Sequence, residues 1–417
     1  MEWVIYLGLC LFGPWIRGVL EPRGVRPEEI WLGIFIFLWI FRYLIKRKNE
    51  INITHIDLFF YLLLLAVIIT LFINNIFINT GASLRDLNEI LRVIKYWLIF
   101  KIATLLDKKK IYIILKILPI LGLLTASIGM AQLIDPLGVG ETIANIYSPA
   151  AIRFVSSINV LAGYMRVSGT AINPNDYGLI LALILIFFWA SLLATNTKKL
   201  VRSTKFWLNI ISVIFIFIVI IATQSRTALV ATIVAILTSN FLFYIKIKDI
   251  KKVGRITIIL FGIGILLYFF VLRSDYLKSN RLLDFKNSTD SISYRRQIWE
   301  AALKETLDLS PLFGLGPQKY EEIILFEELD SQYVFFLKRW GFIGGFLFIS
   351  FFPYIGWNCY NKFLKMTNAI DSYLLLAITT SIILIFVFNF TNVTYESNQF
   401  MDLWLFLAGL CFNRKML

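Results

Sequence analysis

Four short runs of the chain gather arginine, asparagine and carboxylate side chains in patterns suited to holding an anion and moving a proton. The first is Arg166-Val167-Ser168-Gly169-Thr170-Ala171-Ile172-Asn173-Pro174-Asn175-Asp176. Asn173 is a good helix N-cap, Pro174 suits the first helical position, and Asp176 sits where a capping-box carboxylate would. A helix is therefore expected to begin here with Arg166 just upstream, and a helix N-terminus plus an arginine makes an anion site. A capped helix start with a solvated arginine fits these residues equally well. The second run is Thr223-Gln224-Ser225-Arg226-Thr227-Ala228. Ser225 can cap the helix that follows, which places Arg226 beside a second positive helix end.

The third run is Ser291-Ile292-Ser293-Tyr294-Arg295-Arg296-Gln297-Ile298-Trp299. Ile298, Ala302 and Leu303 fit one face of a short amphipathic helix running to about Leu309, stopped by Pro311 and the Gly314-Leu315-Gly316-Pro317 turn. Arg295 and Arg296 are expected in its first turns. Cations there oppose the helix dipole, so a bound anion, rather than local stability, would account for them; a solvated face is the alternative. The fourth run, Asp330-Ser331-Gln332-Tyr333, leads into an apolar stretch with Gly341, Gly344 and Gly345. A carboxylate at that position suits a general base, its pKa raised in a partly desolvated site, and equally suits an ordinary N-cap. No HExxH motif or Cys/His cluster occurs, the acidic residues between Glu321 and Asp330 make a poor case for a cation, and no metal or cofactor is expected.

The elements that must position these residues are membrane helices. Of the 417 residues, 58% are hydrophobic and only 16% charged, against about 25% charged in ordinary soluble domains. Lipid can accept that apolar surface and a soluble fold cannot. The net charge of +14 is dispersed among apolar runs, which fits positive-inside topology and anionic headgroups, not nucleic acid. Trp3–Leu20 lacks the basic cluster and small-residue cleavage site of a signal peptide and is expected to stay as a membrane helix. Cys10, Cys359 and Cys411 are too scattered for a disulfide framework.

An all-α fold with about twelve spans is expected, since each needs about 20 apolar residues. They lie near 2–20, 29–45, 56–78, 88–106, 111–135, 173–195, 206–223, 226–246, 254–272, 332–357, 370–390 and 398–414, forming one integral membrane domain over residues 1–417. The fourth is interrupted by Arg92, Lys95 and Lys101. Basic loops follow the even-numbered spans, which makes both termini cytoplasmic and puts the sole histidine, His55, on that side. Two long loops, 136–172 and 273–331, then face the periplasm, and structureless loops above about 12–15 residues are uncommon unless functional. Lys338 and Arg339 lie about two turns into the tenth span, where charges usually face a cavity or a partner.

Taken together and in this order, the motifs resemble the O-antigen ligase and polymerase superfamily. The residues that carry the resemblance are Arg166, Gly169, Thr170, Asn173, Pro174 and Asn175; Ser225-Arg226-Thr227; Arg295 and Trp299; the Pro311–Gly314–Gly316 turn; and Asp330-Ser331-Gln332-Tyr333 with Gly341 and Gly344. It covers about residues 160–350. The resemblance implies a metal-independent glycosyltransferase of the bacterial inner membrane that takes glycans linked to undecaprenyl pyrophosphate as donor and acceptor. It implies pyrophosphate or sugar binding by Arg166, Arg296, Asn173, Asn175, Gln332 and Tyr333, catalytic roles for Asp330, Arg226 and Arg295, and a chain-length regulator as a plausible partner. In the ligases of that superfamily a histidine typically opens the motif that here begins with Asp330. This departure points from a ligase, which transfers the polymer to lipid A core or protein, toward a Wzy-type polymerase of repeat units, and it leaves the identity of the base open. A flippase of lipid-linked oligosaccharide fits less well, because the polar chemistry gathers in long outer loops.

Overall fold

The computed structural model describes residues 2–13, 30–34, 54–78, 84–134, 138–147, 166–171, 173–194, 204–248, 254, 262, 285–317 and 329–413. Twelve helices are defined among them: α1 (Glu2–Phe12), α2 (His55–Ile76), α3 (Leu84–Thr104), α4 (Lys108–Ile134), α5 (Val139–Tyr147), α6 (Pro174–Ala194), α7 (Thr204–Ala222), α8 (Arg226–Ile247), α9 (Phe285–Leu309), α10 (Gln332–Lys365), α11 (Ala369–Phe388) and α12 (Asn398–Cys411). No strand occurs among the described residues.

Helices that are apolar on every side need protein on every side or lipid on some. In α6 every side chain from Tyr177 to Ala190 is buried, and α12 is buried from Gln399 to Cys411. With α11 these form the centre: α6 packs against α4, α7, α8, α11 and α12, and α11 also meets α8 and α10. The outer helices show the reverse pattern. In α8 the exposed stripe is Val230, Ile233, Leu237 and Phe241, while Ala228, Ala231, Thr232, Ala235 and Ser239 face inward. Small residues inward and large apolar residues outward is how membrane helices pack. Six helices, α2, α4, α6, α8, α10 and most of α11, are long and apolar enough to cross a bilayer. The protein is an all-α polytopic membrane protein.

Nine of the expected spans coincide with described helices. Of the span at 2–20 only 2–13 are described, of the one at 29–45 only 30–34, and the one at 254–272 lies outside the described residues apart from Gly254 and Gly262. In the long segments, 148–165, 273–284 and 318–328 are likewise outside. The helix expected to be short within 273–331 is 25 residues long. No glycine or proline lies between Phe285 and Leu309 to stop it, so it begins well before Ser291. Arg295 and Arg296 therefore sit in the middle of α9, not in its first turns, and the dipole argument for a bound anion does not apply to them.

The tenth span runs through a break. Gly341 has φ 61° and ψ −164°, outside the helical region, and interrupts the hydrogen bonding of α10. The turn after α9 fills the gap: the Phe342 and Ile343 amides donate to the Pro311 and Leu312 carbonyls (2.9 and 3.1 Å), and the Leu315 and Gly316 amides donate to the Lys338 and Arg339 carbonyls (2.7 and 2.9 Å). Two backbones can approach this closely only without side chains. A Cβ on Gly314, at φ 72°, would stand 2.6 Å from both the Arg339 carbonyl carbon and the Trp340 nitrogen. Gly314→Ala is therefore expected to destabilise the fold by about 1–3 kcal/mol through overpacking alone. Gly345→Ala, whose Cβ would make only ordinary contact from 3.4 Å, is expected to stay within about 0.5 kcal/mol of the parent. Thermal unfolding of the detergent-solubilised variants measures the difference, and equal midpoints would contradict the account of the turn.

Candidate functional site

The starts of α6, α8 and α10 converge at one end of the bundle, tied together by the segment joining α11 to α12. At α6, the Asn173 side-chain oxygen accepts from the Asp176 amide (2.8 Å), and the Asn173 amide group donates to the Asp176 carboxylate (2.8 Å). The expected cap is thus formed. Upstream, the Ser168 and Gly169 amides both donate to the Gln132 side-chain oxygen of α4 (3.0 and 2.8 Å). Gln399 of α12 donates to the Thr170 carbonyl (3.0 Å).

Arg166 is only 8% exposed. Its Nε donates to the Thr223 carbonyl (3.0 Å) and an Nη to the Asn175 side-chain oxygen (2.9 Å). It joins the first turn of α6 to the α7–α8 turn, and much of its donor capacity goes to the protein. In that turn Gln224 has φ 51°, and Ser225 caps α8 by accepting from the Ala228 amide (3.4 Å). Arg226 is the first residue of α8 and half-buried. Next to it, the Thr227 and Thr391 hydroxyls share a hydrogen bond of 2.6 Å, which ties α8 to the α11–α12 segment.

That segment is also held by Gln332, which is 1% exposed. The Gln332 amide donates to the carbonyls of Asn389 and Asn392 (3.0 and 3.2 Å). Its side-chain oxygen accepts from the Thr394 hydroxyl and the Tyr395 amide, both at 2.8 Å. Tyr333 donates through its hydroxyl to the Phe386 carbonyl (2.9 Å) and packs on Phe386 and Phe390. Both residues are engaged with the protein at these groups.

Two residues read from sequence as catalytic meet directly. Arg295 Nε lies 2.7 Å from an Asp330 carboxylate oxygen, with the side chains 22% and 33% exposed. The α10 cap is Ser331, so Asp330 is not the cap residue. A partly exposed ion pair adds no more than about 1 kcal/mol to stability; its effect is to hold α9 and the start of α10 together with both charged groups partly in water. Arg296 is on the outer face of α9, 76% exposed and paired with Glu300 (2.7 Å). It is not brought together with Arg295 and Asp330.

A second polar layer escaped the sequence reading. Glu89 of α3 accepts from Arg92 (2.7 Å) and from Arg339 of α10 (2.9 Å), and Arg339 reaches Glu396 (2.9 Å). The Tyr395 hydroxyl donates to Glu89 (3.3 Å), and Arg92 lies over the Tyr395 ring at 5.2 Å. Burial, and then the Glu89 carboxylate, hold the Tyr395 phenol well above its ordinary range, so it stays a neutral donor. Lys338 pairs with Glu305 of α9 (3.3 Å), as expected of a charge that faces a partner. The available signal was the spacing of Glu89, Arg92 and Lys95 down an otherwise apolar run, because intramembrane charges rarely occur unpaired.

Comparison with curated proteins gives no match. Residues 211–349 match the family model described as O-antigen ligase. That segment contains the Ser225–Thr227 turn, Arg295, the Gly314 turn and Asp330 with Gly341. The match falls on residues that build the site, and over that segment the chain is similar to the O-antigen ligase family.

Proposed function

We propose that the protein polymerises oligosaccharide repeat units carried on undecaprenyl pyrophosphate, with the growing chain as donor and a hydroxyl of a second lipid-linked unit as acceptor. The observation that supports this most is the pair Arg295–Asp330 at 2.7 Å, partly exposed, at the start of α10. In the resting site the Asp330 carboxylate is engaged by Arg295 at 2.7 Å. A pyrophosphate that takes over the arginine leaves the carboxylate free to accept a proton from the acceptor hydroxyl.

The acceptor hydroxyl then gives its proton to Asp330, and its oxygen attacks the anomeric carbon of the donor. The bond from that carbon to the pyrophosphate oxygen breaks, and undecaprenyl pyrophosphate leaves with its charge held by Arg295 and Arg226. A single displacement of this kind inverts the anomeric centre. Arg166, Asn173 and Asn175 act by positioning the α6 start beside Arg226, and Gln332 and Tyr333 by seating the start of α10. Arg296 has no part in this scheme.

A ligase, transferring the finished polymer to lipid A core or a protein, is the second reading, favoured by the description of the matching family. A deletion strain separates the two. Loss of a polymerase leaves single repeat units on the final acceptor; loss of a ligase leaves none.

Arg295→Ala and Asp330→Asn are each expected to lower polymer formation at least ~100-fold at unchanged protein level, the range typical for one charge-stabilising donor or one general base. Arg296→Ala is expected to leave it unchanged. Polymer length on gels together with immunoblots of the protein reads both, and full-length polymer from Arg295→Ala rules the scheme out. Gln332→Leu acts differently: it leaves the Thr394 hydroxyl and Tyr395 amide without their acceptor, at about 1–3 kcal/mol each. It is expected to lower the thermal midpoint as well as activity, and an unchanged midpoint would argue for a direct role in the chemistry.

A further inference from the structure

The turn that follows α9 belongs, by chain position, to a segment read from sequence as lying in water. We infer that residues 309–316 instead sit at the hydrocarbon boundary of the bilayer and that Leu309 and Leu312 contact lipid acyl chains. Three observations carry this. The first is depth. α10 has no charged residue from Trp340 to Asn361, a stretch of about the length that crosses a hydrocarbon core. The break at Gly341, into which the turn is seated, therefore lies at the edge of that core. Opposite it, the Thr70 hydroxyl of α2 donates to the Phe313 carbonyl (2.8 Å), and Thr70 is inside a run of α2 without charge from Leu58 to Ile76.

The second is the state of the backbone. Irregular chain at membrane depth persists only where its polar groups are paired within protein. Here the Pro311 and Leu312 carbonyls accept from α10, the Phe313 carbonyl from Thr70, and the Leu315 and Gly316 amides donate to α10. The Gly314 amide donates back to Ser310 (2.8 Å). A turn exposed to water has no need of this much internal pairing.

The third is continuity of surface. Leu309 and Leu312 are 58% and 54% exposed. The amides of Phe342 and Ile343 bind the turn, and their side chains, with that of Phe346 one turn further along α10, are 52%, 45% and 70% exposed. The leucines thus extend the outward apolar face of a membrane-crossing helix, and acyl chains are what covers that face. The turn is then a wedge that anchors the C-terminal end of α9 at the membrane surface.

Spin labels on single cysteines in the full chain, reconstituted in phosphatidylcholine–phosphatidylglycerol nanodiscs, test this. The native cysteines are all buried, and the parent protein treated alike gives the background. Leu312→Cys and Leu309→Cys are expected to show an oxygen-to-nickel-chelate accessibility ratio several-fold above that of Gln297→Cys, on the exposed part of α9, and close to that of Phe346→Cys. Phe346→Cys and Gln297→Cys also report that the fold and the bilayer are intact. Ratios at both leucines equal to that at Gln297, with Phe346 lipid-like, overturn the inference.

Discussion

A helix that breaks at the edge of a bilayer leaves amides and carbonyls that little water can reach. The rest of the site depends on how α10 solves this at Gly341. The turn after α9 supplies four backbone hydrogen bonds to the two sides of the break, and two glycines permit the approach. α9 is thereby fixed to the membrane bundle at its C-terminal end, and the Lys338–Glu305 pair adds a contact one turn earlier. Arg295 is more than two turns further back along α9, and the height at which it meets Asp330 follows from where the helix is pinned. A backbone constraint inside the membrane sets the geometry of two side chains outside its core.

What could be read from sequence divides by range. The caps at Asn173 and Ser225 are local, made within three residues, and the residue types alone announced them. The pairing of Arg295 with Asp330 needed only that two motifs of one segment come together. Gln332 is different. It looked like a substrate ligand because it stands beside Asp330, yet its side chain is taken up by Thr394 and Tyr395, some sixty residues on. Arg166 likewise directs its guanidinium to Thr223 and Asn175. A polar residue in a motif tells that something polar meets it; only the fold tells whether that partner is protein. The start of α9 was misplaced because its apolar face was traced only from Ile298 onward, although no glycine or proline upstream as far as Phe285 ends a helix.

Which faces of the helices turn inward was the least legible part, for a physical reason. In water the apolar face must be the buried one, and periodicity reveals it. In lipid both environments are apolar, so α6, wholly buried, and α2, whose Leu58, Leu62, Leu65 and Phe72 are exposed, look alike by hydrophobicity. Residue size gives the clue only in places such as α8, whose inward face up to Ser239 is alanine, serine and threonine, because small side chains let neighbouring backbones approach.

The charged residues obey a related rule. Arg295 is held by Asp330, Arg339 by Glu89 and Glu396, Arg92 by Glu89, and Lys95 by Asp402. Cations gathered near a membrane without counter-charge would suffer repulsion and desolvation. Pairing these four cations with carboxylates avoids that, and an anion can still compete for a partly exposed pair, because such a pair is worth little in partial contact with water. The buried pairs cannot be exchanged in the same way. Exposure thus separates the ion pairs into two kinds. Arg295–Asp330, at 22% and 33% exposed, is partly open to water, unlike Arg92–Glu89 at 10% and 5%. The Glu89 layer, with both arginines nearly buried, holds α3, α10 and the α11–α12 segment in register.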